Sequence, residues 1–355
     1  MKITQIMLGK GFGGAERSFV DTALALVERG HEVQAICHKK FIKQKLLENI
    51  KGLQLETIQV GGEYDFITPL RIAKLLRKFK PEIVHTQMKR AAWHGGRAAH
   101  RVGIPVVSKL HNYVQLDRYK YVHTLIGTTE DQRLHALKLN WPEDRVSVIP
   151  NFSSIEPVSI IRSFSEEPFC FLSYGRYVHV KGFDLLLRAF KRVLDSGVNA
   201  KLIIGGEGEE SLKLNKLAKR LEISEKVTLD VWIEDTAEAL KNCDIFVLSS
   251  RSESFGIVLL ETMACGVPIV STRAKGPLQV LSDDLAYFAD LESEESLADA
   301  MLKAVSNPND ACCKAKKALE TYRLIYYKNA VLPQLEALYS NIIVHYKENQ
   351  HSTDQ

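Results

Sequence analysis

Two glutamates eight residues apart, Glu253 and Glu261, lie in the segment SSRSESFGIVLLETMACGVPIVST. From about Gly256 onward the segment reads as a helix, with Glu253 just before its N-terminus and Glu261 about two turns in. Ser254, Phe255 and Gly256 then offer N–H groups that no helical carbonyl can take, a ready site for phosphate or sugar hydroxyls. A carboxylate accepts hydrogen bonds from vicinal hydroxyls, the usual grip on a sugar or a ribose. The helix dipole alone could favour Glu253. It does not explain Glu261, because a carboxylate among apolar residues is costly without a partner.

A second group is YGRYVHVKGFD, where Arg176 and Lys181 follow a strand-like run, FCFLSYG. Two fixed cations at a strand's carboxyl end would neutralise a diphosphate leaving group, work that a metal does elsewhere. GGEGEE, after the next strand, adds a glycine turn at Gly206 around Glu207. A third group, LGKGFGGAERS, contains a literal G-x-G-x-x-G in Gly9, Gly11 and Gly14, between the apolar run ITQIML and a helix-like run. That is the position of a dinucleotide fingerprint, yet the next strand, HEVQAIC, ends in Cys37-His38-Lys39-Lys40, where a ribose-binding carboxylate is required. Lysines there suit a 2′-phosphate, so an NADP-dependent oxidoreductase stays open. Gly9 and Gly11 read equally well as a packing turn. The pair Gly13-Gly14 points to close approach of a ligand to the backbone.

These residues need a scaffold that collects strand ends. Strand-like and helix-like runs alternate throughout the 355 residues, which exceed one ordinary hydrophobic core. The pattern predicts an α/β protein with two doubly wound, Rossmann-like domains: residues 1–155, then 156–329. A Pro- and Ser-rich linker, PNFSSIEPVSIIRSFSEEPF, lies between them. Ligands of such sheets bind at the carboxyl ends of the strands, so two sets of ends facing across a cleft are expected.

Composition excludes some classes. The six cysteines are scattered without a C-x-x-C pair, which argues for reduced thiols in a cytoplasmic protein and against a zinc site. No run is apolar enough to span a bilayer, and the first residues read as a strand rather than a signal peptide. Neither a D-x-D nor a His/Cys cluster with ligand spacing appears, so no catalytic metal is expected. Residues 1–155 hold 24 Lys and Arg against 14 Asp and Glu, and the remainder 23 against 29. A basic half suggests an anionic partner for that half; nothing points to nucleic acid. HKKFIKQKLLENIK (38–51) reads as a basic amphipathic helix, with Lys39, Lys40, Lys43 and Lys45 among apolar residues. With RIAKLLRKFK it predicts peripheral contact with an anionic membrane, at the inner face of the cytoplasmic membrane.

Taken together, GGAER, YGR…KG, GGEGEE and ESFGIVLLE resemble the retaining glycosyltransferases of family 4, the glycosyl transferases group 1, from about residue 3 to about residue 345. The resemblance implies a GT-B fold and transfer of a hexose-type sugar from a nucleotide-diphosphate sugar, UDP-sugar favoured, with no cofactor. The acceptor would be a glycan or lipid-linked hydroxyl, as in bacterial lipopolysaccharide or other cell-surface polysaccharide synthesis. It implies that Arg176 and Lys181 hold the diphosphate, assisted by N–H groups from Phe255 through Gly256 and Ile257 to Val258 and by Gly13-Gly14. Glu253 would bind the donor sugar, Glu261 the ribose, and His111 would lie beside the anomeric centre. The helix at about 330–348 would pack back on the first domain. Val231, before Trp232, stands where members often carry glycine, and VIPNF lacks a frequent linker glycine. A nucleotide-sugar epimerase of the same fold is the other alternative.

Overall fold

A computed structural model describes residues 1–62, 65–161, 164 and 167–353. It divides into two units, one formed by Met1–Ser154 with Lys328–Gln355 and the other by Ile155–Tyr327. Residues 162, 163, 165 and 166 of the expected linker lie outside the described residues.

The first unit is built on seven described strands: β1 Lys2–Met7, β2 Glu32–His38, β3 Leu53–Ile58, β4 Ile83–Gln87, β5 Val106–Lys109, β6 Thr124–Gly127 and β7 Val146–Val148. They pair in parallel in the order β3-β2-β1-β4-β5-β6-β7, so the winding direction reverses between β1 and β4. Their near-continuous apolar runs suit strands covered on both faces. α1 (Gly14–Glu28) and the C-terminal helix Lys328–Thr353 cover one face, where Phe19, Leu26, Leu335 and Tyr339 pack on Ile3, Met7 and Val107. Glu336 pins the C-terminal helix by accepting from Arg29 at 2.6 and 2.7 Å and by meeting His31 at 2.7 Å. α2 (Ile67–Phe79) and α3 (Met88–Arg101) cover the other face. Gly95 brings α3 close to the sheet: a Cβ there would lie 2.9 Å from Ile6 and 3.0 Å from Thr86.

The second unit has six described strands: β8 Phe169–Tyr174, β9 Ala200–Gly205, β10 Val227–Val231, β11 Ile245–Leu248, β12 Ile269–Thr272 and β13 Tyr287–Ala289. All pair in parallel, in the order β10-β9-β8-β11-β12-β13, with the reversal between β8 and β11.

One expected element is absent. Residues 38–51 do not form an amphipathic helix; the segment holds a single 3-10 turn, Gln44–Leu47. Phe41 and Leu47 turn into the core while Ile42 and Leu46 stay exposed. The apolar positions are therefore divided between core and solvent, and no continuous membrane-facing stripe results. Among the described residues no helix is long and apolar enough to cross a membrane.

Candidate functional site

In the second unit the loops after β8 and β11 leave adjacent strands at the point where the winding reverses, the usual place for a ligand in an open α/β sheet. Lys181, at the end of the 3-10 turn His179–Lys181, donates to Glu253 Oε2 at 2.6 Å. Both side chains are largely shielded, 22% and 17% exposed. Gly182 makes this approach feasible. Its φ is +65°, and a Cβ there would lie 2.1 Å from the Ser249 carbonyl.

Arg251 laces the two loops together. Its guanidinium donates to both Asp184 oxygens at 2.6 and 2.9 Å, to Glu292 at 2.9 Å and to the His179 carbonyl at 2.9 Å. Its N–H also donates to the Val180 carbonyl. The Asp184 carboxyl is held below its ordinary range by Arg251, against the opposing effect of burial.

The helix that follows Glu253 runs Ile257–Ala264, capped by Gly256 at φ +90°. Glu261 is thus its fifth residue, at the start of the second turn, earlier than the spacing predicts. It is buried, 2% exposed, and accepts from the Tyr174 hydroxyl at 2.5 Å. Ser254 N–H donates to Glu253 itself at 3.2 Å. Ile257 and Val258 open the helix, where N–H groups have no intrahelical acceptor. Phe255 is buried against Tyr326. Gly276 presses on this loop: its N–H donates to the Glu253 carbonyl at 2.9 Å, and a Cβ would fall 2.5 Å from that oxygen.

Arg176 is exposed and makes no ion pair among the described residues. Gly206, at φ +119°, lies so close to Gly175 that a Cβ would fall 2.1 Å from its carbonyl oxygen. The Glu207 side chain is exposed, while its carbonyl accepts from Tyr177 N–H at 2.9 Å. Arg176, in the loop after β8, thus lies in a segment tied by backbone contacts to the turn of Gly206 and Glu207 after β9. Trp232 is half exposed, beside Val231 at the end of β10.

In the first unit the Gly13 N–H donates to Glu16 at 3.0 Å, and Glu16 Oε1 lies 2.5 Å from the Cβ position of Gly9. The glycine turn therefore seats a carboxylate of its own at the head of α1, with Gly14 as the first helical residue. The end of β2 carries His38, which accepts from Lys40 N–H at 2.9 Å and whose pKa is lowered by burial and by the cations around it. The carboxylate of a dinucleotide site has no counterpart there.

His111, half-buried beyond β5, contacts Gln87 Oε1 through Nε2 at 2.6 Å. Burial and then Lys109 push its pKa down to about 3, so the ring is neutral. An amide oxygen only accepts, so Nε2 carries the proton and Nδ1 is left as an acceptor. Gln87 donates onward to Gln5 at 3.5 Å, and Gln5 donates to Tyr339 and His85 at 3.2 Å each. Tyr339 closes the chain by contacting His85 Nδ1 at 2.5 Å. His85 is thus a packed, neutral residue of the sheet interior.

The sequence reading missed Tyr174, Arg251, Gly276, Gln5, Gln87 and Tyr339. Tyr174 ends a strand next to the expected cations, a signal that was available. The others are marked only by contacts between segments far apart in the chain. Among the described residues no group of three or more His, Cys, Asp or Glu is placed to hold a metal ion.

Comparison with known proteins places these elements in context. Residues 12–156 match the family described as Glycosyltransferase Family 4, and residues 154–321 match Glycosyl transferases group 1. The chain is 30% identical over 327 residues to the lipopolysaccharide core biosynthesis glycosyltransferase LpsE of Rhizobium meliloti (strain 1021), covering 90% of this chain and 94% of that one. It is 31% identical over 314 residues to LpsD of the same organism, covering 87% and 89%. The fold matches that of Anabaena Alr3699/HepE, solved with UDP and glucose, with a TM-score of 0.81, 17% identity, and coverage of 96% and 99%.

Proposed function

The chain belongs to the glycosyltransferases of family 4 and has the GT-B fold, and from that premise we propose that it moves a hexose from a nucleotide-diphosphate sugar, with retention at the anomeric carbon, to a hydroxyl of a glycan or lipid-linked acceptor. The pathway we infer is lipopolysaccharide or other cell-surface polysaccharide synthesis, supported by the names of the two Rhizobium relatives. A UDP-sugar is the favoured donor, since HepE was solved with UDP and glucose.

The observation that carries this reading is the Lys181–Glu253 pair at the winding reversal, with Arg176 exposed and without an ion pair among the described residues in the same loop after β8. Glycosyl transfer passes through an oxocarbenium-like transition state while negative charge builds on the departing diphosphate. Arg176, Lys181 and the N–H groups from Phe255 to Val258 meet that charge with preorganised donors, so a metal is not required. Glu253 takes sugar hydroxyls, and Glu261 takes the ribose hydroxyls beside Tyr174. His111 offers Nδ1 as an acceptor to the sugar. Retention follows if the diphosphate removes the acceptor proton on the face from which it departs.

Peripheral membrane contact, as we propose it, moves from residues 38–51 to α2. There Phe66, Ile67 and Leu70 are exposed beside Arg71 and Lys74, an apolar and cationic surface suited to anionic lipid. Co-sedimentation with phosphatidylglycerol vesicles should fall when Arg71 and Lys74 become glutamate; unchanged binding overturns the assignment.

A thermal-shift panel of UDP, GDP, ADP, CMP, NAD and NADP tests the donor reading. Stabilisation by UDP, lost in Glu261→Ala, is the expected result. Stabilisation by NADP alone returns the glycine turn to an oxidoreductase role. An epimerase would convert the donor sugar without transferring it.

A further inference from the structure

In the first unit, the sheet face under α1 and the C-terminal helix is apolar at Ile3, Met7, Ile83 and Val107. Side chains two residues apart on a strand share a face, so Gln5, His85, Gln87 and Lys109 lie on it too. Gln5 of β1 pairs in register with His85 of β4, and Gln87 pairs with Lys109 of β5. All four are buried. A polar row inside an apolar face is costly unless its members are hydrogen-bonded, and here the row leads to His111, just beyond β5.

Every proton along this row is donated in one direction, away from His111. Nε2 of His111 donates to Gln87 Oε1 at 2.6 Å, and Gln87 donates to Gln5 Oε1 at 3.5 Å, the longest link. Gln5 donates to the Tyr339 hydroxyl at 3.2 Å. Tyr339, on the C-terminal helix, donates to His85 Nδ1 at 2.5 Å, and Gln5 reaches the same nitrogen at 3.2 Å.

The direction is set at the far end. Burial, with Lys109 and His111 adding to it, holds the His85 pKa well below its ordinary value, so the ring is neutral. Two donors converge on Nδ1, which leaves the proton on Nε2, and Nε2 has no hydrogen-bond partner among the described residues. Buried polar atoms are normally satisfied, so the ring forgoes one hydrogen bond in order to present a bare Nδ1. Burial also pushes the Tyr339 pKa up, so the hydroxyl keeps its proton. With that proton directed at His85, the hydroxyl offers Gln5 only lone pairs. Gln5 must then turn its amide nitrogen to Tyr339 and its oxygen to Gln87. By the same logic Gln87 turns its oxygen to His111.

We propose that Tyr339, Gln5 and Gln87 are positioning residues that hold His111 as its Nε2–H tautomer, leaving Nδ1 bare to accept from a donor-sugar hydroxyl. Which ring nitrogen of a neutral histidine carries the proton is decided by the partner of the other, and here that partner is itself oriented from the last helix. The inference rests on the glycosyltransferase reading of His111 and adds what fixes its tautomer.

Long-range 1H–15N NMR of the full chain labelled with 15N-histidine tests it, with the His111 signals assigned by their loss in His111→Gln. In the parent, Nε2 should appear protonated and Nδ1 bare. Gln5→Met keeps the side-chain length but removes the link, so the Gln87 amide can turn over and an Nδ1–H population should appear. Gln5→Glu, whose oxygen still accepts from Gln87, should restore the parent tautomer. Tyr339→Phe combined with His85→Leu removes both acceptors of the Gln5 amide nitrogen and should act like Gln5→Met; exchanging both partners for apolar groups of similar shape is mild on stability. A merely structural role would lower Tm in these variants without moving the tautomer. An unchanged tautomer in Gln5→Met or in the double variant, or the same change in Gln5→Glu, overturns the proposal. Isothermal titration separates it from the donor reading: in Gln5→Met the affinity for UDP-glucose should fall about three- to tenfold, the size of one hydrogen bond, with that for UDP unchanged. A tautomer that moves while UDP-glucose binding does not would support the relay and count instead against the sugar-binding role of His111.

Discussion

Lys181 and Glu253, 72 residues apart in the chain, form a 2.6 Å ion pair across the loops of two neighbouring strands. Each neutralises the other, and both stay partly exposed, so cation and carboxylate are held at fixed separation. A diphosphate and the sugar attached to it require just such a neighbouring cation and acceptor. Arg251 and Gly182 hold the arrangement in place from beneath.

Separating this pair should damage turnover more than folding. Glu253→Gln keeps the shape and is expected to lower kcat by about a hundredfold or more, the usual range for a group aimed at the transition state. Lys181→Ala should in addition reduce the thermal shift given by UDP. Steady-state kinetics with a UDP-sugar donor check both; a parent-like kcat in Glu253→Gln would remove that residue from the reaction.

Tyr174 stabilises a carboxylate that is otherwise enclosed. Tyr174→Phe removes the 2.5 Å hydrogen bond to Glu261 and should destabilise the protein by about 1.5–3 kcal/mol, the range for a bond to a charged group. Urea denaturation measures this. If Glu261 also serves the ribose, the UDP shift falls in the same variant.

Burial and Lys109 keep His111 neutral, and its Nε2 contact with Gln87 is the place to oppose them. Gln87→Glu places a carboxylate against Nε2–H, which favours the imidazolium, so the pKa should rise from about 3 toward the ordinary 6.5. A histidine NMR titration follows it directly. A value still near 3 would show that burial outweighs the partner.

Lys109 makes stability depend on pH. It is buried on β5, among the described residues its ammonium reaches the Pro150 carbonyl alone, at 3.5 Å, and burial lowers its pKa to about 7 from 10.5. Between those values the unfolded chain binds a proton that the folded chain releases, so stability rises with pH from about 7 to 10.5. Below pH 7 both states are protonated and the full penalty of burying the charge remains. Lys109→Met should therefore raise Tm most at neutral pH and flatten the rise above it. Parallel Tm–pH curves for the two proteins would contradict this.

Much of this protein is legible in one dimension because its signals are local. Alternating apolar runs of strand and helix length determine two parallel α/β units, since covered strands must be apolar and crossover helices amphipathic. Arg176, Lys181, Glu253 and Glu261 stand out because charge and glycine sit beside apolar strands within a few residues. The missing carboxylate after β2 is equally a local fact, and it argues against a dinucleotide before any coordinates exist.

Other features depend on segments that meet only after folding. Residues 38–51 have a helical pattern, but burial of Phe41 and Leu47 outweighs the amphipathic stripe and leaves one short turn. No spacing indicates that Lys181 pairs with Glu253, that Gly276 supports the loop, or that Tyr339 of the last helix reaches His111 through Gln5 and Gln87. Hydrogen bonds act over a few ångströms, so their partners are set by how the chain packs rather than by distance along it.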